Sequence, residues 1–555
     1  MKFTGYYYHA LCALRIILAC CPQTGYIHPD EHFQGPEIVY GDVLNLKIHK
    51  TWEFTEEKPI RNIIFPYFII GLPALLMEFT GLKSFYGTSL FPYILLVMPR
   101  IIMCFLSFLN DYLIYKIYVL MKKDHKIPLL LFSSSYVTIV YLTRTFSNSL
   151  EVLFFSHVIF ILCKFLFIQK NYENSDENKY TACLKLSFLF GVTLAAGIFN
   201  RPTFVCFTAF PVLLFFFLIL QLGRNFENCV LYFVSFVVGI FCITFSFIAV
   251  DSLYYNKFHY TSLFNLQKHL TVTPLNFILY NINKKNLNSH GLHPYWLHIC
   301  VNIPLLFSLY GVLMILYLIK YLIKIFKQNF LNLEMFLLLS FATPLFLLSL
   351  IPHQEPRFLI PLLFPFVLLQ CYFSSNRIFR KYIFVYLWCF QNIISILFFG
   401  FLHQGGVYLS LSYIHSFLLD HSNCALVFYK TYMPPRYVLG LTEEYNKVKI
   451  YDFAGIDIGE FEIQINNMIF QSDPRYIHFV VPHDVSVSVD NLNILKSKYK
   501  LQHRNYIYPH LSTENLPKYN EFMDIIYTNS SLLHKIHQFK KVFSICILTF
   551  KVNTT

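Results

Sequence analysis

Long uncharged apolar runs constrain this chain more than any other feature. A helix that crosses the hydrocarbon core of a bilayer needs about 20 mostly apolar residues. Six runs of near this length carry no charged side chain: 202–223, 229–250, 297–319, 335–352, 358–375 and 382–402. Five weaker runs are shorter or interrupted by charge: 6–22, 92–120, 127–143, 152–169 and 183–199. The sequence therefore predicts a multi-pass α-helical membrane protein with about 11 spans.

The composition agrees with this prediction. Hydrophobic residues make up 56% of the 555 residues and charged residues only 14%. Soluble domains have roughly 45–50% apolar residues and about 25% charged residues. Most of the 14 cysteines lie inside apolar runs, which favours apolar packing over a metal or disulfide framework. A soluble globule, a disordered chain and a disulfide scaffold are excluded.

The net charge of +13 comes from side chains that flank the apolar runs, so membrane topology explains it and no nucleic-acid partner is expected. Cationic loops mark the cytosolic side of a membrane protein. By parity of the spans, these residues fall on one face: Lys122, Lys123, Lys126, Arg224, Lys320, Lys324, Lys327, Arg377, Arg380 and Lys381. We therefore expect a cytosolic N-terminus. The run 63–77 is short and contains two prolines, so we expect it to be re-entrant or interfacial, although a full span stays open.

The mean hydropathy of the chain falls sharply after residue 402. Residues 1–402 are predicted to form the membrane domain, with a first lumenal loop at 28–61 and a second large one at 251–296. Residues 403–555 are predicted to form a lumenal mixed α/β domain. Its strand-like stretches are 424–429, 476–482 and 542–550.

The first lumenal loop carries the most suggestive polar cluster, His-Pro-Asp-Glu-His-Phe-Gln at 28–34. Adjacent carboxylates beside histidine suit a general base that takes a proton from a hydroxyl group, so Asp30 and Glu31 are the catalytic candidates. His28 and Gln34 are candidates for substrate binding. The alternative is that Pro29 starts an interfacial helix which Asp30 merely caps.

Further polar clusters lie at the predicted lumenal ends of other spans. Ionisable groups at such depths are costly and usually face a cavity, and guanidinium forks suit phosphate. The phosphate candidates are Arg144, Arg201, His353 and Arg357. The acceptor-site or substrate candidates near them are Glu151, His290, His293 and Glu355. The alternative is that each arginine reaches the interface and pairs with a neighbour.

A metal site is not indicated. His28 and His32 lie four residues apart, but the metal-ligand motif His-Glu-x-x-His is absent. We expect no required cofactor and no protein-held metal, although a divalent ion stays open.

These motifs, in order along nearly the full chain, resemble the GPI mannosyltransferases of glycosyltransferase family 22. The matching segments are 28–34, Thr-Trp-Glu-Phe at 51–54, 144–151, 199–204, His-Gly-Leu-His-Pro at 290–294, 352–359, 403–407 and 428–436. Within the family, the first motif and Tyr-Met-Pro-Pro-Arg at 432–436 are most similar to enzymes that add a fourth, side-branching mannose. The chain departs from the family pattern at Tyr295-Trp296, where a basic residue is expected.

The resemblance implies a GT-C type fold in the endoplasmic reticulum membrane, with a lumenal active site. It implies a dolichyl-phosphate mannose donor, a GPI-precursor glycolipid acceptor, inversion at the anomeric carbon, and Asp30 as base with Glu31 beside it. Protein partners are not implied. Two alternatives stay open: another family 22 linkage (the third GPI mannose or an N-glycan mannose), and a lipid-linked sugar transporter, which inverted repeats would favour.

Overall fold

The computed structural model describes residues 3–553 apart from 82–84, 171–176, 224, 257–269, 284–285, 287–290, 323–331, 374–381, 419–422, 443–447 and 529. Six cationic residues that we used for orientation lie outside the described residues: Arg224, Lys324, Lys327, Arg377, Arg380 and Lys381. The contacts divide the chain into two compact units. Unit 1 comprises 1–17, 51–68 and 101–393, and unit 2 comprises 18–50, 69–100 and 394–555. The predicted domain boundary at 402 stays a prediction.

The structure is mainly helical through the predicted membrane region. The helices are α1 (Phe3–Cys20), α2 (Asp30–Phe33), α3 (Pro36–Leu44), α4 (Trp52–Thr55), α5 (Ile64–Pro66), α6 (Leu72–Phe79), α7 (Leu90–Leu120), α8 (Lys126–Ser134), α9 (Ser147–Lys170), α10 (Glu177–Asn200), α11 (Phe204–Leu222), α12 (Phe226–Asn256), α13 (Thr273–Ile282), α14 (Ile303–Leu322), α15 (Leu333–Ser349), α16 (Leu363–Phe373), α17 (Tyr382–Leu397) and α18 (Gly405–Leu418).

Seven helices within the described parts of the chain are long and apolar enough to cross a membrane. They are Leu90–Leu120, Ser147–Lys170, Asn178–Asn200, Phe204–Leu222, Phe226–Tyr255, His298–Tyr321 and Tyr382–Leu402. Shorter apolar helices cover Ile64–Phe79, Leu333–Ser349 and Pro356–Tyr372. The multi-pass helical architecture is confirmed, while the count of 11 spans stays a prediction.

The predicted span 127–143 is not one continuous helix. Helix α8 ends at Ser134, Ser135 is extended with ψ 133°, and a π-helical turn follows at Val137–Tyr141. The break is stabilised inside unit 1, because the Asn392 side-chain oxygen accepts the Tyr136 N–H at 2.5 Å. A polar partner from a distant helix thus replaces the helical hydrogen bonds that are lost at the break.

Close packing of α10 on α12 depends on two glycines. A Cβ atom on Gly191 would lie 2.1 Å from the carbonyl oxygen of Phe236, and one on Gly239 would lie 2.3 Å from that of Phe188. In a membrane the hydrophobic effect does not drive helices together, so small residues at such contacts stabilise a helix pair by letting the two backbones approach closely.

A buried ion pair joins α1 to α7 within unit 1. The Arg15 guanidinium donates to both carboxylate oxygens of Asp111, at 2.8 and 3.2 Å, and to Ser107 Oγ at 3.1 Å. The hydroxyl of Tyr8 also donates to Asp111, at 3.2 Å. Both charged side chains are buried, so each compensates the desolvation of the other.

Unit 2 contains a five-stranded mixed sheet. The strands are β1 (Cys424–Phe428), β2 (Val448–Asp452), β3 (Tyr476–Pro482), β4 (Tyr499–Ile507) and β5 (Ile545–Val552), in the spatial order β2-β1-β3-β5-β4. Strands β1, β2 and β3 are parallel, whereas β5 is antiparallel to both of its neighbours. The helices of this region are α19 (Ile458–Ser472), α20 (His483–Asp490), α21 (Asn493–Lys498), α22 (Tyr519–Tyr527) and α23 (Leu532–Val542).

Helix α19 covers one face of the sheet with a buried apolar stripe. Phe461, Ile465 and Ile469 belong to one core cluster with Phe479 and Leu548 of the sheet. The ring of Phe461 also stacks on that of Tyr429 with 4.0 Å between centroids. The predicted mixed α/β character of the C-terminal region is confirmed.

We predict that the Arg15–Asp111 pair stabilises unit 1 only as a pair. Asp111→Leu leaves a buried guanidinium without its acid, which should destabilise the fold by about 3–5 kcal/mol, whereas Arg15→Met/Asp111→Leu should recover most of that loss. Thermal unfolding of the detergent-purified variants measures both effects. A double variant that melts no higher than Asp111→Leu would contradict the prediction.

Candidate active site

The first predicted motif forms a turn of helix in unit 2. Pro29 precedes α2, where a residue without an N–H group is well accommodated, and the Gln34 N–H closes the turn on the Asp30 carbonyl at 3.2 Å. Asp30 and Glu31 are adjacent in a helix, so their side chains diverge by about 100°. The two carboxylates therefore enter different environments.

Glu31 is engaged in a buried ion pair with Arg100 of α7. The Arg100 Nε and Nη2 atoms donate to the same Glu31 oxygen at 3.1 and 2.5 Å, and Nη1 donates to the Gln23 carbonyl at 2.7 Å. The two side chains are 1% and 5% exposed. This pair holds the motif to α7 and leaves Glu31 poorly placed to accept a proton from a substrate.

Asp30 retains access to solvent. Its side chain is 24% exposed, one carboxylate oxygen lies 3.2 Å from His28 Nδ1, and the other accepts a hydrogen bond from Gln34 Nε2 at 2.6 Å. Two of the predicted substrate-site residues, His28 and Gln34, therefore flank the more accessible of the two carboxylates.

A third carboxylate of the first loop, Glu37, orders a distant segment of unit 2. Its oxygens accept the backbone N–H groups of His49 at 2.8 Å and of Arg436 and Tyr437 at 3.2 Å each. Burial raises the Glu37 pKa to about 8, and these N–H groups oppose that shift. Because the Tyr437 hydroxyl lies 2.9 Å from His32 Nδ1, the loop and the motif at 432–436 order one another.

Six other predicted residues gather within unit 1. Arg201, which follows α10, donates to Ser147 Oγ at 3.1 Å and to Asn148 Oδ1 at 3.3 Å at the start of α9. The Glu151 carboxylate lies 3.7 Å from Arg201 Nε and accepts the Thr203 hydroxyl at 3.3 Å. Two separate sequence motifs thus form one polar cluster at the N-terminus of α9.

The segment before the 3-10 helix Pro356–Leu362 supplies the rest of this cluster. Glu355 accepts from Arg357 with both oxygens, and His353 Nε2 lies 2.8 Å from the same carboxylate. The guanidinium carbons of Arg201 and Arg357 each lie 5.4 Å from the centre of the Phe358 ring. We call these residues, with Glu151 and His293, the Phe358 cluster.

The carboxylate of Glu355 changes the pKa of His353, the histidine to which it is hydrogen-bonded. Its hydrogen bond raises the His353 pKa, against the opposing effect of burial. His293 faces His353 with 5.7 Å between ring centres, and its Nδ1 accepts the Gln354 N–H at 3.2 Å.

Two further candidates are placed differently. Arg144 lies in the turn before α9 and is fully buried, so a role toward phosphate stays a prediction. His290 lies outside the described residues.

In the described part of the chain, no group of three His, Cys, Asp or Glu side chains is arranged to hold a metal. The expectation that the protein holds no metal stays a prediction.

Three important residues were absent from the predicted site: Arg100, Tyr437 and Phe358. A signal existed for Arg100, since an arginine inside an apolar span implies an internal partner. Tyr437 directly follows a quoted motif, but its contact with His32 joins residues 405 apart, and sequence spacing carries no sign of that.

The geometry defines two chemical capabilities. In unit 2 an accessible carboxylate has hydrogen-bonding neighbours and can accept a proton. In unit 1 two guanidinium groups and a histidine of raised pKa offer donors to an oxyanion such as phosphate.

Sequence comparison shows that the chain is a membrane-embedded glycosyltransferase. A sequence profile described as "Alg9-like mannosyltransferase family" matches residues 6–439. This chain belongs to the Alg9-like mannosyltransferase family.

Individual relatives share most of the chain. GPI mannosyltransferase 4 of Drosophila melanogaster is 30% identical over 92% of this chain and 86% of its own length. GPI alpha-1,2-mannosyltransferase 4 of Homo sapiens is 30% identical over 94% of this chain and 92% of its own length. GPI mannosyltransferase 4 of Emericella nidulans is 35% identical over 78% of this chain and 76% of its own length. These similarities favour the enzyme over the transporter.

A solved structure of ArnT from Cupriavidus metallidurans bound to undecaprenyl phosphate is similar with a TM-score of 0.49 and 9% identity, covering 89% of this chain and 95% of that one. A solved structure of the oligosaccharyltransferase from Archaeoglobus fulgidus is similar with a TM-score of 0.42 and 11% identity. That match covers 87% of this chain and 70% of the other one. Likenesses at this level support no inference about the site.

The different environments of Asp30 and Glu31 predict different stability effects. Glu31→Gln leaves buried Arg100 without an anion and should destabilise the fold by about 3–5 kcal/mol. Asp30→Asn keeps the size of a partly exposed side chain and should change stability little. Thermal unfolding midpoints of the two detergent-purified variants provide the measurement, and equal midpoints would contradict the assigned ion pair.

Proposed function

We propose that this enzyme transfers mannose from dolichyl-phosphate mannose to the third mannose of a GPI precursor, forming an α-1,2 linkage with inversion. The observation that carries the mechanism is the division between Glu31, buried against Arg100, and Asp30, accessible beside His28 and Gln34. The names of the relatives, which contain GPI mannosyltransferase 4 and GPI alpha-1,2-mannosyltransferase 4, support the choice of linkage.

Asp30 is the proposed general base. The acceptor hydroxyl attacks the anomeric carbon on the face opposite the phosphate, its proton passes to the Asp30 carboxylate, and the sugar–phosphate bond breaks with its electron pair leaving on the phosphate. Inversion in one displacement needs a single base and no covalent intermediate. No acid is needed to protonate a sugar oxygen, because phosphate is already a good leaving group.

Arg201, Arg357 and His353 are proposed to bind the donor phosphate, with Arg144 as a further candidate. In the described structure each guanidinium of the Phe358 cluster has a carboxylate neighbour, Glu151 or Glu355. These acids hold the forks in a fixed orientation, so that the negative charge of the leaving phosphate meets donors already in place. His293 and Glu355 stay acceptor candidates together with His28, Gln34, Glu151 and His290.

The proposed setting is the endoplasmic reticulum membrane with a lumenal active site. The cationic loops that flank the predicted spans support this orientation. A lipid-linked donor explains why the polar clusters lie at the ends of apolar helices, since the sugar phosphate of such a donor stays at the membrane surface.

Asp30→Asn should abolish transfer. The amide keeps the size of the side chain but cannot accept the hydroxyl proton, and general-base catalysis contributes about 10²–10⁴-fold. The measurement is transfer of labelled mannose from dolichyl-phosphate mannose to a three-mannose GPI precursor by matched amounts of purified protein, with donor binding measured in parallel and expected to be unchanged.

Gln34→Glu provides the matched control, because it alters the same hydrogen bond without removing the proposed base. It should retain more activity than Asp30→Asn. Substantial transfer by Asp30→Asn would contradict the assigned base, and transfer to no GPI precursor by the wild-type protein would contradict the proposed reaction.

A further inference from the structure

Helices α22 and α23 of unit 2 form a hairpin with an unusually apolar end. Ile526, Tyr527, Leu532, Leu533 and Ile536 are 42%, 74%, 74%, 80% and 43% exposed. We call these five residues the hairpin tip. Clustered exposure of large apolar side chains marks an interaction site more strongly than scattered exposure does.

The tip is held together by contacts of its own. The two helices pack against each other, and the Lys535 ammonium donates to the Ile526 carbonyl at 2.6 Å. At the start of α23 the Ser531 hydroxyl accepts the His534 N–H at 3.3 Å, which caps the helix. The apolar side chains therefore belong to two helices that are held against each other.

The charge of α23 points to the chemistry of its partner. Lys535, Lys540 and Lys541 lie in this helix, which contains no aspartate or glutamate. The acids of the hairpin, Glu521 and Asp524, belong to α22. Lysines next to exposed leucines on one short helix are typical of segments that lie at the surface of an anionic bilayer.

Helix α19 of the same unit provides an internal contrast. It also exposes large apolar side chains, Ile463 at 62% and Phe470 at 82%. Its charged residues are Glu460 and Glu462, and it carries no lysine or arginine. Apolar exposure alone thus does not distinguish the hairpin tip, whereas the combination with lysines does.

We propose that the hairpin tip inserts into the headgroup layer of an anionic phospholipid membrane. Leu532, Leu533 and Tyr527 enter the boundary between headgroups and acyl chains, and Lys540 binds lipid phosphate. Helices of the same chain are apolar enough to cross a bilayer, so the chain itself tethers the tip to a membrane. Buried apolar area and attraction of lysines to anionic lipid both contribute to such binding.

Photo-crosslinking of the full-length protein in lipid nanodiscs tests the proposal. A photoreactive p-benzoylphenylalanine is placed at Leu533, with Phe470 as the matched exposed position on α19 and Phe241, 66% exposed in the apolar helix α12, as the positive control. Lipid adducts are identified by mass spectrometry in phosphatidylcholine discs with and without phosphatidylinositol.

We expect lipid adducts at positions 533 and 241 and few at position 470, with the yield at 533 rising when anionic lipid is present. Lys540→Gln should lower the yield at 533 about fivefold in anionic discs, the effect of one lysine near such a surface. Adducts at 241 but none at 533, equal yields at 533 and 470, or adducts of 533 to a protein would each overturn the proposal. Mannose transfer by the labelled proteins verifies that they are folded.

Discussion

The buried ion pair between Glu31 and Arg100 is the interaction on which the arrangement of the first motif depends. An arginine inside an apolar helix is tolerated only with a partner, and Glu31 supplies it with two hydrogen bonds to one oxygen. The pair fixes the rotation of the short helix α2. Asp30, one position earlier, is thereby directed away from the pair and keeps its access to solvent.

The same principle recurs in both units. Asp111 compensates Arg15, Glu151 and Glu355 orient Arg201 and Arg357, and buried Glu37 is satisfied by three backbone N–H groups. Because burying a carboxyl group is costly unless it is hydrogen-bonded, each of these carboxyl groups constrains the position of the groups that it binds.

Much of the helical fold was predictable from sequence, because it follows local patterns, and several candidate site residues that were predicted from motifs lie together in the structure. Uncharged runs such as 202–223 became helices, and Arg201, His353 and Arg357 are brought together within one unit. The break after Ser134 was not predictable, since it depends on a hydrogen bond between Tyr136 and Asn392. Strands β2 and β4 were also missed: they form the two edges of the sheet and lack the apolar runs of buried β1 and β3. Arg100 was identifiable as a charge within a span, but its partner was not.

Mass spectrometry of the glycolipids that accumulate in cells lacking this protein measures the acceptor assignment most directly. An enzyme that adds the fourth mannose acts on a precursor with three, so precursors with three mannoses should accumulate and disappear when the protein is restored. Accumulation of a two-mannose GPI precursor, or of a truncated N-glycan donor with normal GPI precursors, would contradict the assignment.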